Sequence, residues 1–260
     1  MTSIHFDFSG KTVLVTGASR GIGFGVARGF AQAGADLHIL ATNDTVITAA
    51  KTLGRETCAT VYGHVCDVTD RARVSAVMKE FGHIDVLINN AGLERPTPIL
   101  QADDVVDKTF HRIIDTNIMG GFHITREALP HMGKGGKIVM TSSIWGQTAV
   151  PEMSAYCASK HANIGFMRAL AQELGPKGIN VNAICPGWVR TDAAMKSLGH
   201  MARISGREED ELLAEITAAQ ALPELMEPDD MIGAYLFLCS DAAKNITGQT
   251  LNVDRGEVMG

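Results

Sequence analysis

Two residues of the sequence, Tyr156 and Lys160, have the types and the spacing for acid–base chemistry. They are four positions apart in Ala155–Leu174, a stretch with the pattern of a long helix, so both lie on one helix face. A free phenol has a pKa of about 10, which is too high for efficient proton transfer near neutrality. A neighbouring ammonium stabilises the phenolate and lowers that pKa, so the pair predicts a tyrosine that exchanges a proton with a substrate.

Two further polar residues fall where a site would need them. Ser143 directly follows the β-rich run Lys137–Ser142, and α/β proteins place active-site groups just beyond the C-terminal ends of parallel strands. Asn117 falls inside a helical region, where asparagine is a poor helix former and needs another role. Cys157 is interpreted as a small helix residue that points away from this site, rather than as a nucleophile.

A glycine-rich turn near the N-terminus has the character of a phosphate-binding turn. Gly17, Gly21 and Gly23 follow the strand-like run Thr12–Thr16 and open the helical stretch Gly23–Ala33. Glycines there let the backbone approach a pyrophosphate, which sits at the helix N-terminus. The other candidate cofactor contacts within this turn are Ser19, Arg20 and Ile22.

The residues at the end of the second predicted strand bear on the choice of cofactor. Dinucleotide-binding proteins often have an acid there for the adenosine ribose, but here the position is Ala41. The Arg20 guanidinium could reach a 2′-phosphate, and Thr42 and Asn43 could donate hydrogen bonds to it. We therefore expect NADP(H) to be favoured over NAD(H). The alternative, a solvated Arg20 with Asp44 on the ribose, stays open.

These motifs together resemble the short-chain dehydrogenase/reductase family. The sequence has TGxxxGxG in Thr16–Gly23, NNAG in Asn89–Gly92 and YxxxK at Tyr156, and the resemblance extends from Lys11 to Asp254 with the motifs in order. It implies an oxidoreductase that moves a hydride between a nicotinamide and the carbon of a small alcohol or ketone.

The resemblance also implies the roles of four catalytic residues. Tyr156 would be the acid or base at the substrate oxygen, and Ser143 would hydrogen-bond that oxygen. Lys160 would lower the pKa of Tyr156 and hold the nicotinamide ribose. Asn117 would hold a water that relays the proton to solvent. The hydride chemistry itself belongs to the cofactor.

Further cofactor contacts follow from the same resemblance. Asp67 would contact the adenine amino group, although it could instead be the N-cap of the next helix. Main-chain groups of Val189 would hold the nicotinamide carboxamide, and Thr191 would contact it or the phosphates. Pro186 and Gly187 would wrap the nicotinamide and also suit a strand-ending turn. The remaining implied contacts are Val68, Asn89, Ala91 and Gly92.

The sequence says less about the substrate. Trp145 and Trp188 flank the predicted site and could form apolar pocket walls or pack in an ordinary way. Glu94 and Glu152 could bind polyol hydroxyls or be solvated. The other candidates by family position are Met153 and the region Met195–His200. This set favours a small polar or sugar-like alcohol over a long acyl chain.

The elements that must position these residues alternate between β-rich runs and helical stretches. The pattern predicts one α/β domain over residues 1–260: a Rossmann-like doubly wound parallel sheet of about seven strands, with helices on both faces. The predicted strands are Thr12–Thr16, Asp36–Ala41, Thr60–Cys66, Asp85–Asn89, Lys137–Ser142, Ile179–Cys185 and Thr250–Asp254. Residues 191–226 interrupt the alternation and are expected to form a loop and helices that cover the substrate.

Composition excludes several other classes. The chain has 260 residues and a formal net charge of −6, with no Lys/Arg run that would track a nucleic acid. No apolar run approaches the ~20 residues of a membrane span. Five cysteines without CxxC spacing argue against a metal site or a disulfide framework. Because Met1–Lys11 has no signal-peptide pattern, we expect a cytoplasmic protein.

Three alternative functions stay open. A 3-oxoacyl thioester reductase would use the same residues on a longer substrate. A non-catalytic cofactor sensor would not need Ser143, Tyr156 and Lys160. An epimerase or dehydratase of the longer relatives would need an added C-terminal domain. The family is commonly tetrameric at this length, which implies a homo-oligomer. Arg255 stands where the family usually has glycine, and it could alter a subunit contact or the pocket, or point outward.

Overall fold

A computed structural model describes residues 6–101 and 103–259. The N-terminal stretch Met1–Lys11 is therefore described from Phe6 onward. Seven parallel strands form one sheet in the order β3-β2-β1-β4-β5-β6-β7. The strands are β1 Thr12–Thr16, β2 Asp36–Ala41, β3 Val61–Val65, β4 Val86–Asn89, β5 Lys137–Thr141, β6 Asn180–Pro186 and β7 Thr250–Val253. The predicted α/β fold with seven strands is confirmed, and the strand ends differ from the predicted ones by one residue at most.

Helices cover both faces of the sheet. They are α1 Gly21–Gln32, α2 Thr45–Thr57, α3 Arg71–Met78, α4 Asp104–Ile114, α5 Gly120–Ala128, α6 Ser154–Leu174, α7 Asp192–Ser205, α8 Glu209–Ala218 and α9 Ile232–Cys239. Side chains alternate along a strand. Val13 and Val15 of β1 therefore pack in the cluster with α1, α2 and α9, while Leu14 packs in the cluster with α3, α5 and α6. The sheet is buried on both faces, as its continuous Val/Ile/Leu strands predict.

The segment 191–226 is more helical than the sequence suggests. Both α7 and α8 lie in it, and α7 was not apparent from the sequence pattern. Thr191 begins α7 as its N-cap, with its hydroxyl accepting a hydrogen bond of 3.2 Å from the backbone N–H of Ala194. Gly206, at a φ of 65°, ends it. We call this segment the lid.

The two ends of the lid are tied together. Val189 and Met226 form an isolated parallel bridge, and the Arg190 N–H donates to the Met226 carbonyl at 2.7 Å. Arg255 reinforces this base: its guanidinium contacts the Glu224 carboxylate at 2.7 Å, and its carbonyl accepts from the Leu222 N–H. The structure therefore shows Arg255 in a contact beside the lid, which is not one of the three roles left open for it.

Two other features bear on the sequence analysis. All five cysteines are free thiols, and Cys58 is the exposed one. It ends α2 in the left-handed conformation, at a φ of 59°, and its N–H bonds the Gly54 carbonyl. Within the described residues, no helix is both long and apolar enough to cross a membrane.

Candidate active site

A cavity of about 520 Å³ opens at the C-terminal ends of the central strands. It spans the ends of β1 and β4, which are neighbours in the sheet. The chain continues from β1 to β2 and β3 on one side of this pair, and from β4 to β5, β6 and β7 on the other. Such a switch point is where open α/β sheets bind their ligands. The volume lies within the range of roughly 300–1,000 Å³ that small-molecule sites occupy.

The glycine-rich turn forms one wall of this cavity, and its packing explains the glycines. Gly17 has a φ of 66°, and a Cβ there would stand 2.7 Å from the Ala91 Cα. A Cβ on Gly23 would stand 2.5 Å from the Gly17 carbonyl oxygen. No acidic side chain lies in the first turn of α1, and no side chain caps it at Arg20. Free N–H groups at a helix N-terminus suit a phosphate, so the turn fits a dinucleotide.

Asn90 holds the turn in place. Its amide nitrogen donates to the carbonyls of Thr16 and Gly17, at 3.1 and 3.2 Å. The Thr16 hydroxyl accepts in return from the N–H groups of Asn90 and Ala91, both at 3.0 Å. Asn90 lines the cavity, whereas its neighbour Asn89 donates to the Thr125 hydroxyl and does not line it. Asn89 was the predicted cofactor contact, but Asn90 takes that place in the structure, because consecutive side chains at a strand end face opposite ways.

At the adenosine end, the cavity offers cations and hydrogen-bond donors. Arg20, Thr42 and Asn43 all line it, and Asp44 does not. The Arg20 side chain is 77% exposed, with Asp192 as a distant partner at 3.9 Å. The Asn43 Oδ1 accepts from the Thr45 N–H at 3.2 Å, which leaves its amide nitrogen available to a ligand.

Asp67 is held by hydrogen bonds within the protein. Its carboxylate accepts from the Thr69 N–H at 2.9 Å and from Arg112 at 2.7 Å. The N-cap of α3 is Asp70, which accepts from the Arg73 N–H, so the capping interpretation of Asp67 is wrong. Burial raises the pKa of Asp67, but the hydrogen bonds from Arg112 and Thr69 outweigh it and lower the pKa. Asp67 does not line the cavity; the adjacent Val68 does.

Ser143, Tyr156 and Lys160 meet at the end of β5. Ser143 is two residues past the strand, and its hydroxyl accepts from the Trp145 N–H at 3.1 Å. Tyr156 lies in the first turn of α6, and Lys160 lies one turn further along. The Lys160 amine donates to the carbonyl of Thr141 at 2.8 Å. Of the four predicted catalytic side chains, these three are buried and line the cavity, and Asn117 is buried but does not line it.

Burial dominates the proton affinities of this group. It raises the pKa of Tyr156 well above its usual value, and the Glu94 carboxylate raises it further, while a hydrogen bond with Ser143 lowers it. Burial lowers the pKa of Lys160 to about 8, against the opposing attraction of Glu94. Burial and the Glu94 carboxylate are thus the main causes of the raised pKa of Tyr156, and the lowering that the YxxxK spacing predicts from Lys160 stays a prediction.

Asn117 lies in a π-helical turn, Asp115–Met119, that joins α4 to α5. Its amide oxygen accepts from the Leu93 N–H at 2.7 Å, and its nitrogen donates to the Leu93 carbonyl at 3.0 Å and to the Ser159 hydroxyl at 2.9 Å. The side chain thereby ties the loop after β4 to α6. A Cβ built on Gly92 would be 3.5 Å from both the Asn117 oxygen and the Lys160 amine, so the two approach one point.

The strand-ending segment after β6 completes the cofactor side. Pro186, Gly187, Val189 and Thr191 line the cavity. A Cβ on Gly187 would stand 2.7 Å from that of Asp254, so the turn admits glycine alone without a shift. Thr191 also lies 3.4 Å from the Cβ position of Gly21, which brings the end of β6 against the glycine-rich turn.

The substrate side has aromatic walls and one carboxylate. Trp145 packs edge-to-face on Tyr156 and on Trp188, with ring centres 6.0 and 5.8 Å apart. Glu94 lines the cavity and accepts a hydrogen bond from Ser197 of α7. Ser197 falls in the region predicted to face the substrate, but its partner was not foreseen.

Two predicted substrate residues lie elsewhere. Glu152 does not line the cavity; its carboxylate contacts His200 of α7 at 2.8 Å. Met153 is buried in a small cluster with Tyr156 and Cys157 and also lies outside the cavity lining. Both residues support the loop before α6, because they face the protein rather than the opening.

Comparison with known proteins places this site among oxidoreductases. The family described as Enoyl-(Acyl carrier protein) reductase matches residues 17–257. The oxidoreductase UcpA of Salmonella typhimurium is 40% identical over 96% of the chain and 95% of its own length. D-beta-hydroxybutyrate dehydrogenase of Cupriavidus necator is 33% identical over 96% and 98%. The structure of L-sorbose reductase from Gluconobacter frateurii, complexed with NADPH and L-sorbose, has a TM-score of 0.88 and 28% identity, covering 99% of this chain and all of that one.

Proposed function

The chain belongs to the short-chain dehydrogenase/reductase family and is an NAD(P)-dependent oxidoreductase of alcohols and ketones, and we propose that it prefers NADP(H) and acts on a small polyol or sugar-like substrate. One observation carries the proposal. A single cavity gathers the glycine-rich turn, the Ser143–Tyr156–Lys160 group and a wall of two tryptophans with one carboxylate. A pure sensor would not need this combination.

The proposed roles follow from the positions of the side chains. Tyr156 gives its proton to the carbonyl oxygen during reduction and takes it back during oxidation. Ser143 donates a hydrogen bond to the same oxygen and fixes its place. Lys160, held by the Thr141 carbonyl, supplies positive charge beside the phenol and grips the ribose. Asn117 fixes the loop after β4 and, with a water, connects Lys160 to solvent. The nicotinamide supplies or accepts the hydride.

The preference for NADP(H) rests on the charge at the adenosine end. Arg20 is exposed there and is free to bind a 2′-phosphate, and no acidic side chain among the described residues stands at the end of β2. A ribose-binding acid would oppose that phosphate. The sorbose reductase structure is a complex with NADPH, which supports the same cofactor for this chain.

The substrate proposal rests on the polar and aromatic character of the pocket. Trp145 and Trp188 offer flat apolar walls, and Glu94 offers a hydrogen-bond acceptor, a combination that suits a hydroxylated carbon chain. A 3-oxoacyl thioester is the second candidate, because the matching family is described as an acyl-carrier-protein reductase. A thioester would need room for an acyl chain and its carrier.

We also propose a homo-oligomer, with a tetramer as the expected form, in the cytoplasm. The support is a set of exposed apolar side chains on and between α4 and α5, namely Val105, Phe110, Met119 and Phe122. Apolar surface of this kind marks contacts between proteins. Light scattering coupled to size-exclusion chromatography measures the assembly directly, and a monomer at micromolar concentration would contradict the proposal.

One assay tests the function. NADPH and NADH oxidation is followed near pH 7 with ketoses, simple hydroxy ketones, keto acids and acetoacetyl thioesters, and the corresponding alcohols are run with NADP⁺ and NAD⁺ at higher pH. We expect turnover with NADPH and a ketose or hydroxy ketone. Turnover of thioesters alone would replace the substrate proposal by the second candidate, and a strong NADH preference would remove the cofactor proposal.

A further inference from the structure

The one carboxylate on the substrate side of the cavity, Glu94, stands beside the catalytic group. It follows the NNAG turn by two residues, and it is close enough to Tyr156 and Lys160 for its charge to act on both. Its own pKa is raised by burial, whereas the hydrogen bond from Ser197 and the charges of Lys160 and Arg95 favour the ionised form. Glu94 therefore places a carboxyl group next to the reacting centre, and the neighbouring cations favour its ionised form.

Glu94 retains hydrogen-bonding capacity for a ligand. Its Oε1 accepts from the Ser197 hydroxyl, and among the described residues no donor bonds Oε2. Because Ser197 is itself buried and lies on α7, the lid fixes the direction of the carboxylate. A carboxylate held in this way accepts a hydrogen bond from a hydroxyl group strongly and specifically.

Among the described residues, the substrate side of the cavity offers no unengaged cation to an anionic substrate. In the part of the chain that the structure describes, the Lys and Arg side chains lining it are Arg20, Lys160 and Arg190. Arg20 stands at the glycine-rich turn, far along the cofactor side. Lys160 donates to the Thr141 carbonyl, and Arg190 is paired with Glu227 at 2.8 Å. A substrate carboxylate would therefore lie beside Glu94 with no lysine or arginine of the described residues available to pair with it.

We propose that Glu94 is a specificity-determining residue: it accepts a hydrogen bond from a hydroxyl one or two carbons from the reacting carbon and rejects substrates with a carboxylate there. The substrate class is then neutral hydroxy ketones and polyols, as opposed to hydroxy acids such as the one named for the hydroxybutyrate dehydrogenase relative. This inference rests on the proposed function and narrows it to uncharged substrates. Desolvated like charges repel strongly, so a single glutamate is sufficient to enforce the choice.

The test uses substrate pairs that differ only in this group: 4-hydroxy-2-butanone against acetoacetate, and hydroxyacetone against pyruvate. They are assayed with NADPH at pH 8.5, well above the ordinary pKa of a carboxyl group, and each is also measured as an inhibitor of the best substrate from the wider panel. For the wild-type protein we expect kcat/KM, or the inhibition constant, to favour the neutral member at least ~30-fold. Equal kcat/KM values, or equal inhibition constants, for the two members of a pair would overturn the proposal.

Glu94→Gln removes the charge and keeps an oxygen for Ser197. We expect it to lower the discrimination at least ~10-fold, mostly through a lower KM or inhibition constant for the acids. The matched control is Glu215→Gln, which removes the same charge from the lid at an exposed pair with Arg207 and should leave the ratio unchanged within about twofold. An unchanged ratio in Glu94→Gln would overturn the proposal.

Two further arms keep the result decisive. If Glu94→Gln does not fold, Glu94→Asp is used instead. It retains the charge but moves the carboxylate away from the substrate by the length of one methylene. It should still reject acetoacetate while binding the hydroxy ketone more weakly, and acceptance of acetoacetate by this variant would count against Glu94. If the wild-type protein turns over no ketone of any charge, the proposed function itself fails. If it turns over ketones but accepts acids equally, only the role of Glu94 fails.

Discussion

The amine of Lys160 lies 5.4 Å from the ring centre of Tyr156. Both side chains are buried, and the amine is held on the far side by the Thr141 carbonyl. Removing the phenol oxygen should leave the cavity and the cofactor site unchanged while abolishing proton transfer. We expect Tyr156→Phe to reduce kcat by roughly 10²–10⁴-fold, the usual contribution of general acid–base catalysis.

Binding of NADPH to the same variant is the control for that prediction. Fluorescence or calorimetric titration should give a dissociation constant within a few-fold of the wild-type value. Turnover that survives at a tenth or more of the wild-type rate would show that another group transfers the proton.

Arg20 should set the cofactor preference. Because its guanidinium is exposed at the adenosine end and is only weakly engaged by Asp192, it is available to a 2′-phosphate. We expect Arg20→Ala to raise the KM for NADPH about 10-fold and to change the KM for NADH little, since a charge-assisted hydrogen bond contributes roughly 1.5–3 kcal/mol. Steady-state kinetics with both cofactors measures this. Arg207→Ala, on the outer side of the lid, is the charge-matched control, and an equal rise for both cofactors would contradict the assignment.

Gly23 should be irreplaceable even though it lies inside a helix. A Cβ there would stand 2.5 Å from the Gly17 carbonyl oxygen, so the turn and the helix would have to separate. We expect Gly23→Ala to destabilise the fold by about 1–3 kcal/mol and to weaken NADPH binding at least ~10-fold. Urea denaturation and cofactor titration measure the two effects.

Gly165 provides the contrast in α6. A Cβ at Gly165 would meet no described atom within 4 Å. Alanine is the better helix former there, so Gly165→Ala should stabilise the protein by up to about 1 kcal/mol. A Gly23→Ala variant that is stabilised to the same extent would mean that helix propensity, rather than the close approach at Gly23, governs the result.

The paired histidines of β2 and β3 should make stability depend on pH. His38 and His64 contact each other at 3.0 Å through their ring nitrogens, and His38 also stacks on Tyr62. Burial lowers the pKa of His38 to about 4, and the charge of His64 lowers it as well. The unfolded chain, with a histidine pKa of about 6.5, binds the proton first, so stability is present above pH 6.5 and is lost as the pH falls toward 4.

The expected loss from His38, discounted for its partial exposure, is roughly 1–2 kcal/mol. The variant His38→Phe, which keeps the stacking on Tyr62 and Phe81, should lose less stability than the wild type between pH 7.5 and 4.5. Urea denaturation at several pH values gives the comparison. Parallel curves for the two proteins would show that the acid sensitivity arises elsewhere.

The sequence predicted the sheet well because the central strands β1, β4 and β5 are apolar runs with polar residues at their ends. It also placed Tyr156 and Lys160 on one helix face, because a spacing of four residues is a local property of a helix. Ser143 lies on another element, and only the resemblance to the family brought it to the same site.

Long-range contacts were beyond the sequence pattern. Asn89 and Asn90 are chemically the same. Only the register of β4 against β1 directs the Asn90 side chain to the glycine-rich turn and the Asn89 side chain to Thr125 in the interior. Glu152 and Glu94 were equal candidates until α7 paired one with His200 and the other with Ser197. The raised pKa of Tyr156 could not be read from spacing either, because burial is a property of the whole fold.

The bridge between Val189 and Met226 has a consequence for how such a protein can change. The chain leaves the sheet and returns to it at nearly the same point, so the segment between is a loop whose two ends lie side by side. Insertions, deletions or a transplanted segment after Asp192 and before Met226 would not alter the strand register, whereas Thr191 and Asp192 must stay because they lie against Gly21 and Arg20 of the dinucleotide turn. The choice of substrate can thus diverge, or be engineered, separately from the machinery of hydride transfer.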